Sequence, residues 1–117
     1  MLIKMKFRVI LTLTIIVFIS LNCYSQKVYT VNYDYQADIK VFVTNYEYQA
    51  DLLVYKVKYD YQAKENTGLW FFTDHSYQAK KKIYFTKYDY QADIKICYVS
   101  YEYQAKWRNP EKKHLLD

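Results

Sequence analysis

Six copies of one pentapeptide dominate this chain, and their spacing limits what it can fold into. Tyr33-Asp34-Tyr35-Gln36-Ala37 returns as Tyr-(Asp/Glu)-Tyr-Gln-Ala starting at Tyr46, Tyr59, Tyr88 and Tyr101. A degenerate copy, His75-Ser76-Tyr77-Gln78-Ala79, sits in the middle. Successive copies are 13 residues apart, except that 16 separate Tyr59 from His75. A unit this short cannot bury a core alone, so the copies must pack on one another. The extra residues fall in Glu65-Asn66-Thr67-Gly68, which holds the only glycine of the chain. This stretch reads as an enlarged turn that splits the array into three units and three more.

Within a unit the pattern is strand-like. Phe42, Thr44, Tyr46, Tyr48, Ala50, Leu52 and Val54 fall on alternate residues. Period-2 alternation rich in tyrosine and β-branched residues favours β structure over helix. An odd repeat length would turn successive copies to opposite faces of a straight strand. The adjacent apolar pairs Val28-Tyr29, Val41-Phe42, Val54-Tyr55, Ile83-Tyr84 and Ile96-Cys97 mark where that phase is reset. On this reading a bulge or corner keeps the Tyr-x-Tyr pairs pointing inward, and a second corner lies at Gln-Ala-Asp, as in Gln36-Ala37-Asp38. The expected fold is all-β: tandem 13-residue β-repeats, stacked or doubly wound into a solenoid-like sheet. In such a stack the glutamines from Gln36 to Gln104 would form an amide ladder. The acidic residue of each motif would face water or meet a lysine such as Lys58 or Lys87. One glycine and one proline are too few for a narrow coil. The tyrosines are therefore expected between two packed sheets or two interleaved windings.

The first part of the chain reads as an address rather than a domain. Lys4, Lys6 and Arg8 precede the apolar run VILTLTIIVFISL, and a short polar exit follows. That is the layout of a secretory signal peptide over residues 1–25, cleaved between Ser25 and Gln26. The run is shorter than the roughly 20 residues that span a bilayer, so no membrane span is expected after cleavage. Residues 26–107 form the six-copy β-repeat domain, and residues 108–117 a charged C-terminal tail, a short cover or a frayed end, with Trp107 as a cap. The implied location is secreted, periplasmic or cell-surface. Three of the 17 basic residues lie in the signal segment, leaving 14 against 12 acidic ones. No basic block marks a nucleic-acid surface. Cys97 would be left without an internal partner, at a position held by Tyr29, Phe42, Tyr55, Phe71 and Tyr84 in the other copies. It reads as a small buried hydrophobe.

The units VYTVNYDYQADIK and IYFTKYDYQADIK, with Gln-Ala-x-Trp after the last copy, resemble a family of short bacterial repeat proteins of unknown function. The resemblance covers residues 28–107. It implies a deeply knotted chain of the torus type, with three units wound one way and three more wound back between them. It carries no catalytic residue and no ligand.

Catalytic chemistry has little support. Asp74-His75-Ser76 contains triad residue types, but neighbours on a strand point to opposite faces. One glycine permits no phosphate-cradling loop, and no Cys-x-x-Cys or His-Glu-x-x-His spacing offers a zinc site. Asp34 with Asp38, and Asp89 with Asp93, recur four apart. Calcium, however, needs six or more oxygens in a tight loop, and lysine replaces the second aspartate at Lys64, Lys80 and Lys106. No catalytic, metal or cofactor residue is therefore assigned, and no cofactor is expected. The expected function is that of a non-enzymatic structural or interaction module, with self-association or a glycan as the open partner classes. The alternatives are a cell-wall or extracellular glycan-binding module that uses exposed tyrosines, and a fibre-forming surface subunit.

Overall fold

The computed structural model of the chain describes residues 26–117. The signal-peptide reading concerns residues outside that range. Seven strands are present among the described residues: β1 (Lys27–Thr30), β2 (Ile39–Val43), β3 (Leu52–Lys56), β4 (Leu69–Phe72), β5 (Lys81–Phe85), β6 (Ile94–Tyr98) and β7 (Lys106–Trp107). Between them lie single-turn 3-10 helices: η1 (Asp34–Gln36), η2 (Glu47–Gln49), η3 (Asp60–Gln62), η4 (Ser76–Gln78), η5 (Asp89–Gln91) and η6 (Glu102–Gln104). A longer 3-10 segment, η7 (Pro110–Leu116), ends the chain.

The all-β expectation holds, but the repeat motif is not part of a strand. Each unit consists of a short strand followed by a return leg, and the motif is the return leg. Tyr33 and Ala37 are both extended, on either side of one tight turn. The Gln36 N–H donates to the Tyr33 carbonyl (3.1 Å) and the Ala37 N–H to the Asp34 carbonyl (3.2 Å). The Gln-Ala pair closes this turn, in keeping with the expected corner. The odd repeat length needs no bulge, because every strand restarts in the same direction after its return leg.

The strands are ordered β4-β1-β5-β2-β6-β3, and β3 also pairs with β4. Six parallel strands thus close into a barrel, and closure removes the free edges that a sheet would otherwise expose. β7 adds to the lower half of β3 as its antiparallel neighbour. The chain advances two places around the ring from β1 to β2 to β3, one place to β4, then two places again to β5 and β6. A constant step of two would return to β1 after three strands. The single short step places β4, β5 and β6 in the gaps left by β1, β2 and β3. It coincides with the enlarged turn. The second winding runs in the same sense as the first and does not wind back. Return legs of each winding lie against strands of the other: η1 on β5, η5 on β2, η2 on β6 and η6 on β3.

Inside the ring, register sets inward residues beside inward residues, as in Ile39 with Ile83 and Val41 with Phe85. Of each adjacent apolar pair, the first member enters the core. Val28, Val41, Val54, Ile83 and Ile96 are fully buried, and a small barrel is filled by such side chains rather than left hollow. The second member lies outside the barrel, half-buried at Tyr29, Phe42, Tyr55 and Tyr84 and buried at Cys97.

The C-terminal tail is a cover and is not frayed. Leu116 is fully buried in the core cluster, and its carbonyl accepts from Gln26 Nε2 (3.1 Å). Asn66 ties this cover to the enlarged turn. Its Nδ2 donates to the Lys113 carbonyl and to Asp117 Oδ1, both at 2.9 Å. Its carbonyl accepts from Trp107 Nε1 at 3.0 Å. Gly68 sits at φ +97°, and a Cβ there would lie 2.3 Å from the Leu53 carbonyl oxygen. Only glycine fits this position.

Candidate functional site

The return legs place the tyrosines outside the barrel, which overturns the expectation that they build the core. Of the twelve ring positions in the six motifs, eleven are tyrosine and one is His75. The first tyrosines are 55–59% exposed and the second ones 64–82%. The physical reason is length. A short strand followed by a reversal leaves the motif on the far side of its own strand, over a strand of the other winding. Alternation alone does not distinguish the two placements.

Within each copy the two rings pack on each other. Centroid separations are 5.6 Å for Tyr33 with Tyr35, 5.6 Å for Tyr59 with Tyr61, 5.5 Å for Tyr88 with Tyr90 and 5.7 Å for Tyr101 with Tyr103. These four pairs are stacked, at separations favourable for aromatic contact. His75 takes the same place beside Tyr77 at 5.4 Å. One ring face in each pair is thus used internally, and the outer face of the second ring looks into solvent. The acidic residue between the rings is also exposed. Asp60 meets Lys27 at 3.6 Å, so neither Lys58 nor Lys87 supplies that partner.

The glutamines form no ladder. Five of the six, Gln49, Gln62, Gln78, Gln91 and Gln104, act within their own turn, in one of two ways that follow the residue two before the motif. Where that residue is threonine, its hydroxyl donates to the glutamine: Thr44 to Gln49 Oε1 (3.0 Å), Thr73 to Gln78 Oε1 (3.1 Å) and Thr86 to Gln91 Oε1 (2.9 Å). The same hydroxyl oxygen accepts the N–H of the first motif residue, at Tyr46, His75 and Tyr88. Where the residue is Val57 or Val99, the glutamine accepts that N–H directly: Tyr59 N–H to Gln62 Oε1 (3.0 Å) and Tyr101 N–H to Gln104 Oε1 (3.2 Å). Either arrangement satisfies the donor that opens the turn, so the rings are held the same way in both.

The aspartate that follows Gln-Ala also has a structural task. Asp38 Oδ2 accepts the Lys82 N–H (2.8 Å), Asp93 Oδ2 the Lys40 N–H (2.8 Å) and Asp51 Oδ2 the Lys95 N–H (2.9 Å). Each aspartate therefore fixes the register of its strand against the neighbouring one. Asp51 also draws in the tail through Asn109 Nδ2 (3.3 Å) and Lys112 Nζ (3.2 Å). Burial alone would raise its pKa. The Lys95 N–H, the Asn109 amide and the Lys112 ammonium outweigh burial and hold it below the ordinary value. Among the described residues, no group of three or more His, Cys, Asp or Glu is placed to hold a metal ion.

Two further groups are perturbed. Cys97 is buried outside the barrel with Ala50 and Leu53. Burial, then the Glu47 carboxylate, raises its thiol pKa, which suits a packing role. Lys56 lies over the Tyr98 ring at 4.4 Å and the Phe72 ring at 5.1 Å, and burial pushes the Tyr98 hydroxyl up to about 12.

Two windings, each laid over strands of the other, set the fold apart from an ordinary stack. A model for the 7(1) septoil knot domain matches residues 25–108. The chain belongs to the septoil knot domain family. The match takes in all six copies and β7 and ends before η7. No curated protein matches the chain, and no solved structure does. Family membership makes this a repeat protein of unknown specific role, and it assigns no chemistry to any residue.

Proposed function

We propose that this septoil knot domain protein is an exported, non-enzymatic interaction module that binds extracellular glycans through its tyrosine belt. The observation that carries the reading is the exposure of the second tyrosine in every copy, 64–82%, on a turn that is rigidly hydrogen-bonded. Large aromatic faces held open to water are more often contact surfaces than accidents of packing. Tyrosine also offers a hydroxyl at the rim of an apolar face. Export is supported by the basic and apolar leader. A non-enzymatic role is supported by His75, the one histidine in the belt, which packs on Tyr77 beside residues that only close its turn. The closed ring weighs against a fibre-forming subunit, because β-strand templating needs an edge.

The barrel is proposed to be knotted. Its interleaved windings and the family to which it belongs support this. Refolding from denaturant is expected to take far longer than for an open repeat array, and fast single-phase refolding would refute the knot.

The glycan reading is tested by titrating a panel of oligosaccharides while following tyrosine fluorescence. Saturable perturbation by at least one glycan class is expected. A flat response across the panel, with the fold intact by circular dichroism, would remove the reading.

A further inference from the structure

The belt is regular except at the enlarged turn. There the chain leaves η3, loops through residues 64–68 and enters β4, while η6 approaches from the neighbouring return leg. A cleft of about 350 Å³ opens between them, within the size range of small-ligand sites. Tyr61 forms one wall. At 64% exposed it is the least open of the second tyrosines, because its ring flanks this cleft. Half-buried Leu69 and Thr67 also line it.

The polar groups of the cleft are free to bind. Gln62 uses its Oε1 on the N–H groups of Lys58 and Tyr59 (3.2 and 3.0 Å), which leaves its Nε2 to donate. Lys64, Glu65 and Glu102 also line the cleft. Among the described residues, their charged ends make no ion pair or hydrogen bond. One ammonium against two carboxylates leaves the cleft with a net negative charge beside an aromatic face. No other copy combines these features, because only this turn is enlarged.

We propose that this cleft is a binding site for an amino sugar carrying a free ammonium, within a glycan chain. The proposal rests on the glycan reading above and gives it a position and a chemistry. The Tyr61 ring stacks on the C–H face of the pyranose and attracts the ammonium through its π-face. Glu65 and Glu102 accept charge-assisted hydrogen bonds from the ammonium. Gln62, Thr67 and Lys64 take the hydroxyls.

The test is calorimetric titration with oligomers of glucosamine and of N-acetylglucosamine, in mildly acidic buffer that keeps the free amine protonated. The wild-type chain is compared with a double variant, Glu65→Gln with Glu102→Gln, and with Asp74→Asn, an exposed carboxylate outside the cleft and outside the motifs. The expected result is a preference of about tenfold or more for the free amine, the size of one hydrogen bond to a charged group. The double variant loses that preference and Asp74→Asn keeps it. Equal affinity for the two oligomers, or an unchanged preference in the double variant, overturns the amino-sugar site and leaves the belt reading standing. Failure to bind either oligomer overturns this site, and the separate glycan panel then decides the belt reading.

Discussion

The inside and the outside of the barrel use different rules of repetition. Equivalent inward positions carry Val28, Val41, Val54, Trp70, Ile83 and Ile96, all fully buried. The outward motif is nearly identical in every copy. The interior varies because each place in a closed ring meets different neighbours across the core, and side chains must fill one shared volume between them. The return leg repeats because its surroundings are its own: two backbone bonds, one glutamine and one ring pair. Sameness at regular intervals therefore reports a self-contained local structure and not burial. That is why a tyrosine-rich repeat ends up facing water.

Three substitutions test this contrast. Ile83→Ala opens a cavity in a fully buried site and should cost about 2–5 kcal/mol in denaturant unfolding. A loss under 1 kcal/mol would mean that the core tolerates collapse and is not tightly packed. Asp51→Asn removes a charged acceptor that joins β3, β6 and the tail, and should cost about 1–3 kcal/mol at neutral pH. The carboxyl of Asp51 is held below its ordinary value of 3.8. Its contribution is therefore complete above that pH and is lost as pH falls through the lower folded value. Stability measured against pH should show the wild-type chain converging on the variant in acid. A constant difference down to the lowest pH would contradict the assignment. Tyr90→Ala sits at the other extreme. It should change stability by no more than about 0.5 kcal/mol, and a core-sized loss would return the belt to a structural role.

Much of the fold can be read from the amino-acid sequence, and the failures have physical causes. The strands are legible because Val41, Leu52 and Val54 alternate with outward residues. The interruption is legible because Gly68 and the longer step fall together. Closure is not legible, because it depends on pairing between units far apart in the chain, such as β1 with β5, and no local pattern encodes that. The placement of Tyr33 and Tyr35 is missed because side chains two residues apart share a side in a strand and also across this turn. Two signals were available. Val31, Thr44, Val57, Thr73, Thr86 and Val99 are nearly isosteric and precede every motif, which marks a fixed packing site that accepts a hydroxyl. Leu115-Leu116, in an otherwise charged tail, marks a segment with somewhere to bury it.

The single one-place step between β3 and β4 has a consequence for how such a chain can change in length. An open stack can gain or lose one unit at an end, since each unit touches only its neighbours. Here every unit of one winding fills a gap in the other. Loss of a single unit leaves one gap empty and leaves the return leg that lay over it without support, as η2 lies over β6. A unit therefore cannot be added to or trimmed from an end without re-closing the whole ring, so chain length is set by closure and not by local stacking.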